Sequence, residues 1–136
     1  MTRSVLLGYQ LLTGASDTVT GALLIITPAV TLELLHLHVS AEELIFPALV
    51  GAFVLSVGLS CLYGALIAYR GGGKKELEMI WLLTAFTRAS VAIFVFEQVL
   101  AATLPAGWMA IAGLDAGCVL IQGFGLRRGW IAGALG

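Results

Sequence analysis

The chain has 136 residues, 60% of them hydrophobic and only 11% charged, with a net charge of -1 and a mean hydropathy of +1.02. Soluble domains carry about a quarter charged residues, so the composition excludes one and points to an integral membrane protein in a single domain. The absence of a basic stripe excludes a nucleic-acid partner.

Four apolar runs reach the ~20 residues needed to cross a hydrocarbon core, at about residues 4–27, 41–70, 77–102 and 108–126. The expected fold is therefore all-α, a four-helix transmembrane bundle of up-down topology. The first run follows Met1-Thr2-Arg3-Ser4, continues through Asp17 to Thr27 and lacks a small-residue cleavage site. It is expected to be a retained helix and not a signal peptide. Gln10, Thr13, Gly14, Asp17 and Gly21 recur at steps of three and four and share a small, polar, inward face. Pro28 ends this helix, because proline cannot donate to the ladder.

Residues 28–39 are too few to span and include Glu33, His36 and His38, which predicts an extracytoplasmic interfacial helix or turn. Ser40-Ala41-Glu42-Glu43 has capping-box spacing and marks the start of the second span. Pro47 is expected to kink that span, and Ser56, Ser60 and Gly64 predict a small-residue seam for helix contact. The third span places Leu77, Trp81, Thr84, Arg88, Val91 and Val95 on one side. Glu97 falls roughly 180° from Arg88 at 3.6 residues per turn and near the outer interface. Thr103 to Gly107 forms a short turn. The fourth span then aligns Asp115, Cys118 and Gln122, with Trp108 and Trp130 as interfacial aromatics. The tail beyond Arg128 is expected to be poorly ordered or to lie on the membrane surface.

Arg3, Arg70, Lys74, Lys75, Arg127 and Arg128 cluster at the two termini and in the middle loop, and the other two loops have no Lys or Arg. By the positive-inside rule both termini are cytoplasmic, in a bacterial-type inner (plasma) membrane.

Arg88 is a permanent charge inside an apolar run and needs a partner there. Counting from the cytoplasmic ends at 1.5 Å per residue puts Arg88, Asp17 and Asp115 all ~15–18 Å deep. The three are expected to form the polar core, with Gln10, Gln122, Ser60 and Glu97 as further candidates for a ligand-binding or polar site. One reading is a structural ion cluster that fixes helix register. The other is the floor of a cavity for an amphipathic ligand such as a quinone or lipid. Two carboxylates against one guanidinium leave one negative charge over, which calls for a protonated aspartate or a cationic or donor ligand.

No cofactor or metal is predicted. His36 and His38, with Glu97 and Gln98, have no diagnostic ligand spacing, and the absence of histidine from the spans argues against a haem between helices. Cys61 and Cys118 lie ~12 Å deep by helical rise and read as small apolar residues before they read as a dithiol. No hydrolase triad order, phosphate loop or zinc-protease motif occurs.

Gly14 to Gly21, Pro28 followed by the stretch ending Leu37-His38-Val39, Glu42-Glu43 and the run Gly51 to Gly58 together resemble the DoxX-like group of small four-helix membrane proteins. That resemblance covers nearly the whole chain. It implies an up-down bundle working beside redox or sulfur-metabolising partners, and it assigns no functional residue. The leading expectation is a non-enzymatic membrane protein, either a subunit of a larger assembly or homo-oligomer, or a binder of a small lipophilic ligand. The alternatives are a proton-coupled small transporter, and an intramembrane redox or isomerase enzyme using Glu97, Asp17 or the cysteines.

Overall fold

The computed structural model describes residues 1–37 and 44–136, and over these it is all-helical. Six helices follow in order: α1 (Arg3–Ile26), α2 (Pro28–Leu34), α3 (Ile45–Arg70), α4 (Lys74–Leu100), α5 (Met109–Arg127) and α6 (Trp130–Leu135). A 3-10 turn at Ala106–Trp108 leads into α5. The capping box, with His38 and Val39, lies outside the described residues.

Among the described residues three segments are long and apolar enough to cross a membrane: α3, α4, and α5 with its preceding turn. α1 has the length, at 24 residues, but Gln10, Thr13, Ser16, Asp17, Thr18 and Thr20 dilute its apolar content. Length and hydropathy together thus single out three helices where the sequence reading expected four. Their outward faces are hydrocarbon, including Phe53 and Leu59 of α3, Phe86 and Ile93 of α4, and Leu114 and Leu120 of α5. The polar side chains Gln10, Thr84, Arg88 and Gln122 are buried. That polarity is inverted relative to a water-soluble helical protein.

α1 packs chiefly on α3 and α4 on α5, with a lighter contact between α3 and α4. The buried residues Gly51, Gly58, Cys61, Ala65 and Ala68 of α3 advance by sevens or by alternating threes and fours. This is the repeat of helices crossing at ~20°. A Cβ at Gly14 would meet Leu62 at 2.9 Å, and one at Gly51 would meet Leu24 at 2.7 Å. At Gly21 or Gly58 it would run into backbone of the facing helix. The expected Ser56, Ser60, Gly64 seam is corrected here. Gly64 is buried, but Ser56 and Ser60 are exposed, and each donates its hydroxyl to the carbonyl four residues back at 2.8 Å. A hydroxyl satisfied on its own helix needs no interhelical partner, whereas glycine lets two backbones touch.

Pro47 falls in the first turn of α3, where its missing N–H removes no interior ladder bond; the kink expected from it loses its cause. At the same end of the molecule α2 closes with Leu37 N–H on Leu32 carbonyl (2.8 Å) and His36 N–H on Glu33 carbonyl (3.0 Å). This paired C-terminal motif needs a left-handed residue, here His36 at φ 56, followed by an apolar one. Leu37 supplies the apolar contact, packing with Leu24 and Leu32. α4 ends likewise, with Ala102 at φ 56. A Cβ in that region costs about 1 kcal/mol, so Ala102→Gly is expected to stabilise the protein by that amount in an unfolding titration.

At the other end, Arg3 donates from Nε to the Ala68 carbonyl at 2.9 Å and from Nη2 to the Tyr69 carbonyl. It neutralises the carbonyl end of α3 and ties the start of α1 to it. Of the two expectations for the tail, poor order is corrected, since it forms α6. Gly129 takes φ 63, which reverses the chain, and α6 folds back so that Ile131, 1% exposed, packs with Leu6, Ala68, Leu77 and Trp81.

Candidate functional site

The inward face of α4 is set by helical spacing. Leu77, Trp81, Thr84, Arg88 and Val95 are buried, but Val91, expected on the same face, is exposed. Arg88 is 7% exposed and spans two helices. Nη1 donates to Asp115 Oδ1 on α5 at 2.6 Å, and Nη2 donates to Asp17 Oδ2 on α1. A planar fork can serve two carboxylates at once, which a lysine ammonium does with far less directional control. Each carboxylate uses one oxygen on Arg88. The Asp17 and Asp115 side chains remain 19% and 15% exposed. From α3 the Cys61 thiol faces the Arg88–Asp17 pair.

One to two turns along from this triad, towards the end that α6 covers, lies a second polar layer. Gln122 on α5 is fully buried and donates from Nε2 to Thr84 Oγ1 at 2.9 Å. Gln10 on α1 is also fully buried, beside Gly64 and Leu77, and neither end of its carboxamide has a hydrogen-bond partner. Tyr9 packs on Trp81 with ring centroids 5.4 Å apart. The Tyr9 hydroxyl, Trp81 Nε1, Gln122 Oε1, Thr18 Oγ1 and Arg88 Nε are likewise buried without partners. An orphaned polar atom costs about 1–3 kcal/mol, and folded proteins leave few of them. This concentration makes the interior a place where polar atoms outnumber the bonds the chain itself provides.

The structure brings Asp17, Arg88 and Asp115 together, and sets Gln10 and Gln122 in the adjacent layer. It separates Ser60 and Glu97 from them. Ser60 is exposed on α3, away from the triad. Glu97 is exposed, because nine residues of helix carry it to the face opposite Arg88. Gln98 holds the following turn, its Oε1 accepting from Thr103 Oγ1 at 2.6 Å. His36 is exposed in its helix stop. Cys61 and Cys118 are both free, the first buried and the second half-buried. Among the described residues no three potential metal ligands converge.

Ser60 instead lines a groove of about 200 Å³ between α3 and α4, with Phe53, Ser56, Ile80, Thr84 and Thr87 also on its walls. Its hydroxyls form a row whose protons are engaged: Thr84 donates to the Ile80 carbonyl at 2.7 Å and Thr87 to the Leu83 carbonyl at 3.1 Å. Ser56 and Ser60 do the same on α3. The row therefore presents oxygen lone pairs to the groove. Sequence spacing did not reveal this groove, since it arises from the light α3–α4 contact. Tyr9 was also missed; its signal is adjacency to Gln10 on a face already polar.

No protein-family model, curated protein or solved structure matches the chain.

Proposed function

We propose that the chain is a non-enzymatic integral membrane protein of the bacterial inner-membrane type that binds a small lipophilic molecule with a polar end, such as a quinol or a lipid. α1 acts as a fourth span, shielded along its polar side by α3, which makes an up-down four-helix bundle. Both termini then face the cytoplasm by the distribution of Lys and Arg. This arrangement fits the DoxX-like resemblance and work beside partner subunits or as a homo-oligomer.

The observation that carries the proposal is the α3–α4 groove, with hydrocarbon on its walls and a row of acceptor oxygens inside it. By helical rise it lies ~10–25 Å from the ends of α3 and α4 joined by the glycine loop, and so opens sideways within the hydrocarbon region. Pockets for small molecules are commonly apolar with a few placed polar groups and hold roughly 300–1,000 Å³, so a groove of about 200 Å³ takes the polar end of such a molecule and leaves its tail in the bilayer. A hydroxyl donor on the ligand matches the lone pairs of Ser56, Ser60 and Thr87, while Thr84 already accepts from Gln122.

Gentle extraction followed by native mass spectrometry tests the reading. The protein is expected to carry one lipid or quinone-class molecule, and Ser60→Leu, which fills the groove from an exposed position, is expected to lose it while remaining folded. An empty native protein, or equal occupancy in the variant, would count against the groove as a binding site.

A further inference from the structure

We infer that Asp17 and Asp115 hold one exchangeable proton between them, with Arg88 fixed between the two carboxyl groups as its permanent counter-charge. The inference rests on the membrane reading but not on the groove, which meets this polar interior at Thr84 alone.

Charge and geometry together carry it. Two carboxylates face one guanidinium, so the cluster has a net charge of -1 if both are ionised, in a bundle whose outer surface is hydrocarbon. Uncompensated charge at that depth is the costly state, and one bound proton removes it. Among the described residues, the charged and titratable groups facing the cluster supply no second cation. α1 contributes Asp17 and Tyr9, α4 Arg88, α5 Asp115 and Cys118, and α3 Cys61. A metal ion is a poor substitute, because no three ligating side chains converge among the described residues.

Each carboxyl engages Arg88 through a single oxygen, which leaves the other oxygen to take the proton. Uptake from water converts one carboxylate to a carboxylic acid and brings the cluster from -1 to neutral. Loss of the proton to water reverses this.

Two features make the proton exchangeable. The aspartate side chains are not sealed by protein, at 19% and 15% exposed, because α1 and α5 make little backbone contact with each other. Independently, the fully buried Gln10 and Gln122 and the nine-tenths-buried Arg88 carry unpartnered polar atoms. Through Gln10, Thr84 and Gln122 these continue the polar interior from the triad towards the end covered by α6. Water held at such atoms, with two to four partners each, is the relay this inference requires.

Asp17 and Asp115 are the only aspartates in the sequence, so the native protein tests this without a mutation. Aspartate labelled with carbon-13 at the side-chain carboxyl is incorporated, the protein is reconstituted into phospholipid vesicles, and solid-state NMR reads both carboxyl signals across neutral pH. The expected spectrum has one aspartate-equivalent protonated, as one acid and one carboxylate signal or as two averaged signals, and deuterium oxide buffer shifts it. Two fully ionised aspartates would overturn the inference, as would an acid signal that deuterium oxide leaves untouched. Co-flotation with the vesicles separates the two readings. A protein that floats with both aspartates ionised overturns the proton assignment alone, and one that does not float overturns the membrane reading with it.

Discussion

Arg88→Leu is expected to abolish a monodisperse folded protein, the largest effect of any single substitution in this chain. Removing one partner from a buried ion pair costs about 3–5 kcal/mol, because the remaining charge is left uncompensated. Here both carboxyl groups lose the same partner, so the ionised aspartate is left unpaired in the interior and α1 and α5 both lose their tie to α4. Typical stabilities are about 5–15 kcal/mol, and the loss consumes a large part of that. The cause can be separated from simple loss of packing. Adding Asp17→Asn and Asp115→Asn to Arg88→Leu removes the stranded charge, and the triple variant is expected to recover much of the lost stability in a denaturant titration in micelles. Arg88→Lys is expected to fall between, since a single ammonium cannot direct donors at both carboxylates in the way a planar fork does. A stable Arg88→Leu protein would show that the cluster does not hold the helices.

The second large effect lies at the α1–α3 contact. Gly21→Ala is expected to destabilise the protein by about 1–3 kcal/mol, the usual range for overpacking, although alanine is the better helix former by about 1 kcal/mol. The atoms in the way are the Leu55 backbone and the Gly51 carbonyl, which cannot swing aside as a side chain would. Gly58→Ala meets the backbone of Asp17 and Thr18, and so also pushes on the segment that presents Asp17 to Arg88. Gly117→Ala on α5 is the control. Nothing lies within 4 Å of its added carbon, and it is expected to be neutral or slightly stabilising. If all three behaved alike in thermal unfolding, the close approach of α1 and α3 would have no energetic content.

Charges inside apolar runs were the legible part of the site. Arg88, Asp17 and Asp115 stand out because hydrocarbon makes every ion conspicuous, and helical rise alone brings them to a common depth. Helix faces were less legible where several small or polar residues competed. Ser56 and Ser60 read as a contact seam from their spacing, but their hydroxyls close on their own backbone. The actual seam uses Gly51 and Gly58, whose seven-residue separation is visible in the sequence but has no side chain to draw attention. Glu97 entered the candidate site by type, although its position relative to Arg88 already argued against it. α6 was hidden for another reason. Its six residues include a glycine and are too few to show periodicity, and its place depends on Ile131 finding a hydrophobic pocket built by α1, α3 and α4. That is tertiary information, which local sequence does not contain. The α3–α4 groove is similarly a product of how tightly two helices approach.

The account depends most on Arg88 being satisfied by both aspartates inside the bilayer. Solid-state NMR distance measurements in phospholipid vesicles test this, with nitrogen-15 in arginine and carbon-13 in the aspartate carboxyls. One guanidinium is expected in contact with both carboxyl carbons and remote from lipid phosphorus. A guanidinium set in which every member contacts lipid phosphate and none contacts an aspartate would contradict the account.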